Sequence, residues 1–160
     1  MTPMKPEIDK FDLRILEVLQ RDASKSTSEI ASIVGLTQSP CWKRIHKLEQ
    51  LGYIEKRVAV LDRKKLGMDI AAFIQVKLSE AGRRQQLGKF EQAVTRMPEV
   101  TACSLVLGEM DFIVQVNVYD IEHLERFLKE GLWAMPGIQE IRTSIVLSQS
   151  KVSPSLPRRK

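Results

Sequence analysis

The 160-residue chain is poor in most of the groups that enzymes and membrane proteins depend on. It has two cysteines, Cys41 and Cys103, each inside an apolar pattern, and no CxxC pair. A disulfide framework or a zinc knuckle is therefore not expected, and a reducing, cytoplasmic setting fits best. It has two histidines, far apart in sequence, with no HxxxH and no glycine-rich phosphate loop. No nucleophile–base pair or metal cluster can be assembled from these, so neither an enzyme nor a resident cofactor is expected. No apolar run approaches the roughly 18–20 residues of a membrane span. The opening MTPMKPEIDKF has no apolar core of a secretory signal.

What the chain does have is an ordinary soluble composition, 43% hydrophobic and 28% charged, with its charge unevenly placed. Residues 1–62 carry ten Lys/Arg against nine Asp/Glu, residues 66–150 eight against eleven, and the net +5 comes largely from Arg63-Lys64-Lys65 and the tail 151–160. A cationic face inside residues 1–62 would therefore be a local feature rather than part of a generally basic domain.

Such a face occurs in TQSPCWKRIHKLEQLGYI, residues 37–54. Pro40 is tolerated only in a first helical turn, which Thr37 or Ser39 can cap. Cys41, Ile45, Leu48 and Leu51 recur at helical spacing, and Gly52 stops the helix. The opposite face carries Pro40, Lys43, Lys47 and Gln50, flanked by Arg44 and His46. Trp42, about 60° from Ile45, reads as packing rather than as a contact. Upstream, Asp9 can cap a helix with Phe11, Leu13, Ile15, Leu16, Val18 and Leu19 as its apolar residues. Ser26 to Glu29 is a capping box opening a helix with Ile30, Ala31, Ile33 and Val34 inward. Gly35-Leu36-Thr37 joins it to the basic helix. Two short helices across a three-residue turn form a helix-turn-helix. Tyr53-Ile54 and Val58 to Leu61 read as strands of a wing around Glu55-Lys56-Arg57. The basic helix is then the one that enters the DNA groove, with Lys43, Arg44, His46 and Lys47 toward phosphates and Gln38 and Ser39 at the base edges.

The second half has another rhythm. Ala72, Ile74, Val76 and Leu78 alternate as a strand, and residues 84–96 suit a helix with Leu87, Phe90 and Val94 inward. Val100 to Leu107 and Phe112 to Val118 are strands around Gly108-Glu109-Met110-Asp111, which on its own reads as a turn with Gly108 at positive φ and Asp111 bonding its own backbone. Asp120 caps a helix to about Glu130 with Leu124, Phe127 and Leu128 inward, and Ile138 to Leu147 alternates again. The order βαββαβ is ferredoxin-like. One sheet face has no helix to cover it; Phe73, Cys103, Leu105, Val114, Val116 or their alternates would lie there and call for a second copy of the chain.

The expected class is therefore α+β. A winged helix-turn-helix spans 1–62, a linker 63–69, a ferredoxin-like domain 70–150 and a basic tail 151–160. The marks IDKFDLRILEVLQRD, SEIASIVGLTQSPCWKRIHKLEQLGYI, LDRKKLG, MPEV, LVLGEMDFIVQV and MPGIQEIRTSIVL stand in the order seen in the Lrp/AsnC (feast/famine) regulators, and the chain resembles that family from Ile8 to about Pro157. The resemblance implies a transcriptional regulator that binds operator DNA, forms a homodimer through its second domain, often assembling to an octamer, and answers to a small amino acid. It further implies an effector pocket between dimers at Leu107, Gly108, Glu109, Met110 and Asp111, with Thr143 and Ser144 of the last strand nearby. The alternative is a winged helix serving as a protein-interaction module without DNA binding. That would favour an acidic or apolar surface helix, not one displaying Lys43, Arg44 and Lys47.

Overall fold

The computed structural model describes residues 8–150. Their order is α1 (Lys10–Arg21), α2 (Thr27–Val34), α3 (Gln38–Gln50), β1 (Ile70–Leu78), α4 (Glu80–Val94), β2 (Val100–Leu105), β3 (Phe112–Val118), α5 (Ile121–Arg126) running into a π-helical turn (Phe127–Leu132), and β4 (Ile138–Ile145). The described residues divide after Val60 into two compact units. The tail expected at 151–160 lies outside the described residues.

In the N-terminal unit the helix starts follow side-chain chemistry. Asp9 accepts from the amides of Phe11 and Asp12, and Asp12 returns a bond to the amide of Asp9, so an aspartate fills the usual glutamate place in a capping box. Ser26 and Glu29 form the second box, and Gly35, at φ 78°, ends α2 in the left-handed region. Helix α3 begins differently: Thr37 stands at the cap position but its hydroxyl makes no capping bond, and Ser39 lies within the helix. Pro40 occupies the first turn, where an amide would have had no intrahelical partner. At the other end Tyr53 donates to the Leu48 carbonyl and Gly52 to that of Glu49, the paired bonds of a Schellman motif.

Ile15, Leu19, Ile30, Ala31, Val34, Cys41, Ile45 and Leu48 form the core of this unit. Three residues expected inward, Ile33, Trp42 and Leu51, are exposed, as is the apolar Leu13 of α1. The stripe of α2 is complete with Ile30, Ala31 and Val34, and at 100° per residue Ile33 falls outside it. Leu51 follows the last helical residue, so the periodicity no longer governs it. The expected wing strands do not form: residues 53–61 contain no paired strand, and Val58, Val60 and Leu61 are exposed. A tight hairpin needs turn residues at positive φ, and Glu55-Lys56-Arg57 supplies none. Arg57 instead pairs with Glu49 of α3 at 2.7 Å.

The C-terminal unit is one antiparallel sheet in the order β2-β3-β1-β4, the ferredoxin-like arrangement. Register decides which face each side chain takes. Ala72, Ile74 and Val76 stand opposite Val116, Val114 and Phe112, and with Leu78 these pack against Phe90, Val94, Leu124 and Phe127 of the helices. Val114, Val116 and Cys103 therefore belong to the helix-covered core, not to the uncovered face where they were expected. Leu105 pairs with Phe112 on that same side at the sheet edge and stays exposed. The uncovered face carries the alternates Phe73, Gln75, Ile113, Gln115, Arg142 and Ser144, a mixed surface. Helix α4 starts at Glu80, four residues before the expected 84, because the Ser79 hydroxyl accepts from the amide of Gly82. Gly82 lies so close to Gly137 that a Cβ there would stand 2.5 Å from the Gly137 carbonyl oxygen.

Candidate nucleic-acid interface and effector site

Helix α3 presents Gln38, Ser39, Pro40, Trp42, Lys43, His46, Lys47 and Gln50 to solvent, while Cys41, Ile45 and Leu48 hold its back in the core. Lys43 and Lys47 are one helical turn apart and stand on one face. With Asp9, Pro40 and Arg44 they line a shallow open groove. A second groove, at the helix start, is lined by Gln38, Ser39 and Trp42.

Arg44 is placed otherwise than the sequence suggested. Its guanidinium Nη1 pairs with Asp9 Oδ2 at 2.7 Å and with Asp12 Oδ1 at 2.8 Å, and it lies over the Phe11 ring. Asp12 is 1% exposed, a buried carboxylate of α1. The Asp12 carboxylate, and after it that of Asp9, raises the Arg44 pKa above its ordinary value and keeps it charged. The carboxyl of Asp9 is held below its usual range, first by the hydrogen bond from the Asp12 amide. Arg44 thus clamps α3 to α1 and sets the angle at which the lysines are presented. No local pattern in the sequence marks this pairing, because Asp9 and Asp12 lie 35 and 32 residues upstream of Arg44. His46 stacks on Trp42, ring centres 4.7 Å apart and planes 17° off parallel, and its Nδ1 lies 3.4 Å from Glu49.

In the C-terminal unit Leu107, Gly108 and Glu109 are exposed, whereas Met110 and Asp111 are buried. Gly108 does not adopt positive φ, and a Cβ added to it would meet nothing within 4 Å. Asp111 does not close a turn on itself. Strand β3 starts at Phe112 opposite Val76, so Leu78 lies beyond that ladder and its amide needs another acceptor. Asp111 Oδ2 supplies it at 2.8 Å, while the Asp111 amide donates to the Val76 carbonyl and its own carbonyl accepts from Val106. The hairpin is thereby pinned to the end of β1. Glu109 reaches Arg142 at 3.2 Å, and Arg142 also pairs with Glu140. Arg142, which sequence reasoning passed over, raises a cation beside the hairpin; Glu140 first, then Glu109, holds its charge. Thr143 pairs with Ile74 and Ser144 with Phe73, which puts their side chains on opposite faces of the sheet. Only Ser144 shares the uncovered face with Arg142.

Among the described residues no cluster of His, Cys, Asp and Glu could hold a metal, and no helix is long and apolar enough to cross a membrane.

Comparison with known proteins joins the two units. Residues 8–49 match the AsnC-type helix-turn-helix domain, and residues 71–156 match the Lrp/AsnC ligand binding domain. The chain is 35% identical over 150 residues to the DNA-binding transcriptional activator DecR of Escherichia coli strain K12, covering 94% of this chain and 98% of that one. It is 37% identical over 145 residues to the proline dehydrogenase transcriptional activator of Rhizobium radiobacter, covering 91% and 92%. A transcriptional regulator of Neisseria meningitidis, solved as a complex with L-Met, superposes with a TM-score of 0.89 at 31% identity, covering 94% and 97%.

Proposed function

This chain belongs to the Lrp/AsnC family of transcriptional regulators, and on that footing we propose that α3 docks in the major groove of operator DNA while an amino acid binds beside the hairpin 107–111. The observation that carries the DNA reading is the pair Lys43 and Lys47, exposed on one face of the helix that follows the turn Gly35-Leu36-Thr37. Cations so placed neutralise phosphates, while Gln38 and Ser39 at the helix start meet base edges. Arg44 acts as a positioning residue, with its charge directed to Asp9 and Asp12. His46 flanks the lysines. The relatives matched are regulators of transcription, which supports a regulator without catalytic chemistry, working in the cytoplasm.

Lys43→Ala with Lys47→Ala should weaken binding to all duplexes and lower the salt slope by about one unit per lost phosphate contact. Fluorescence anisotropy across a salt series measures it. An unchanged slope would take α3 out of the interface.

For the effector, the wide exposure of Leu107, Gly108 and Glu109 and the nearby Arg142 support a site at the hairpin tip. There Glu109 can meet an ammonium, and Arg142 and Ser144 a carboxylate, by charge-assisted hydrogen bonds. Met110 and Asp111 hold the hairpin in place from beneath, and Thr143 points away. The L-Met complex of the Neisseria regulator supports an amino acid as the ligand class.

The uncovered sheet face, with Phe73 40% exposed at its centre, supports a homodimer through residues 70–150, and the family resemblance supports further assembly of such dimers to an octamer. Light scattering on the full-length protein at micromolar concentration should give at least a dimer, and Phe73→Asp should shift it to monomer. A wild-type monomer would sink this reading. Binding between dimers would then bias one quaternary arrangement and so change operator affinity, limited by the difference in effector affinity for the two arrangements.

A further inference from the structure

Trp42 is a large apolar side chain left 52% exposed on the helix assigned above to the DNA groove. A single exposed apolar residue needs no explanation by itself. Three further observations set this one apart. Its indole is stacked on His46, whose Nδ1 lies 3.4 Å from Glu49, and this stacking limits the freedom the side chain has to lose on meeting a partner. It lines a groove with Gln38 and Ser39 at the start of α3, the part of such a helix that reaches base edges. It stands on the flank away from the Arg44 clamp, beside the stripe of Lys43 and Lys47.

We propose that Trp42 is a specificity-determining residue that packs its indole against the 5-methyl group of a thymine in the major groove, beside base contacts from Gln38 and Ser39. The chemistry selects the base. The major-groove edges of guanine, cytosine and adenine present donors and acceptors, and only thymine adds an apolar group. An indole has one N–H and two wide apolar faces, so a methyl group is its natural partner there. Gln38 beside it has the amide that suits adenine, so the site favours an A/T-containing step in each half-site. This inference rests on the docking of α3 in DNA.

The test uses a duplex selected by the full-length wild-type protein from a random-sequence pool. Each thymine is replaced in turn by uracil, which removes only the methyl group, and affinities are measured for wild type, Trp42→Ala and Trp42→Phe. One thymine per half-site should cost the wild type about fourfold when demethylated. The same change should cost Trp42→Ala nothing, with Trp42→Phe between the two. The salt slope of Trp42→Ala should equal that of wild type, since no charge is removed. Equal uracil penalties in wild type and Trp42→Ala, or no penalty in the wild type, would overturn the proposal while leaving DNA docking through Lys43 and Lys47 in place. A pool that yields no enriched sequence would overturn the operator-binding reading itself, and this inference with it.

Discussion

Arg44→Met should cost the N-terminal unit about 4 kcal/mol, most of what a domain of this size has to lose. The reason lies in Asp12, whose carboxylate is 1% exposed and accepts from Arg44 at 2.8 Å and from the Asp9 amide at 3.1 Å. A methionine keeps an apolar stem of similar length but removes the guanidinium that lies over Phe11 and pairs with that carboxylate. A buried charge stripped of its partner costs far more than the pair as a whole contributes. Asp12→Leu added to Arg44→Met should therefore recover much of the loss, since two apolar groups replace both charges. Hydrogen exchange of the α1–α3 amides reads the effect, with β1 and β3 amides of the same molecule as control. A loss below about 1 kcal/mol would show that the clamp does not hold α3. Comparison with the lysine variants separates stability from contact. Lys43→Ala with Lys47→Ala should leave exchange unchanged while altering the salt slope, and Arg44→Met should do the reverse wherever the unit remains folded.

Helix starts and stops were the most legible features because each rests on a local bond. Ser26 with Glu29, Asp9 with the first turn of α1, and glycines at positions 35 and 52 all act within a few residues of themselves. The succession βαββαβ was legible too, since alternation in the first strand and the helical spacing of Leu87, Phe90 and Val94 are both local patterns. What the sequence hid depends on partners distant along the chain. Whether Val114 faces the helices or the open side is set by its pairing with Ile74, forty residues away, and one residue of register reverses every side chain. The wing was read from two short apolar runs, yet a strand needs a partner with free edges, and Glu55-Lys56-Arg57 cannot turn the chain back to provide one. Arg44 looked like its neighbours Lys43 and Lys47 because Asp9 and Asp12, which capture it, are 35 and 32 residues upstream. Trp42 was assigned to packing by its angle from Ile45, but the core beneath α3 is already filled by Cys41, Ile45 and Leu48.

The same distance effect changes what Asp111→Ala should do. On the sequence alone Asp111 read as a turn residue, and the family resemblance placed it in the effector pocket. In the structure it is 8% exposed and accepts the Leu78 amide at the end of β1, a bond no strand of the sheet replaces. Deleting it leaves a buried N–H without its acceptor and frees the hairpin, for which about 3 kcal/mol is expected. The melting temperature should fall by more than about 10 °C. Asp111→Asn keeps an acceptor oxygen and should recover most of that loss. These two variants, with Glu109→Gln, also divide the effector chemistry. In a thermal-shift screen against the twenty amino acids, a ligand at 100 times its Kd should stabilise the wild type by about 2.7 kcal/mol. If Glu109 meets the ammonium, Glu109→Gln should lose that shift at an unchanged starting melting temperature, while Asp111→Asn should keep it. The opposite pattern, with Glu109→Gln responding as wild type and Asp111→Asn folded but silent, would return the ligand to Asp111 and place its ammonium beneath the hairpin rather than at the tip.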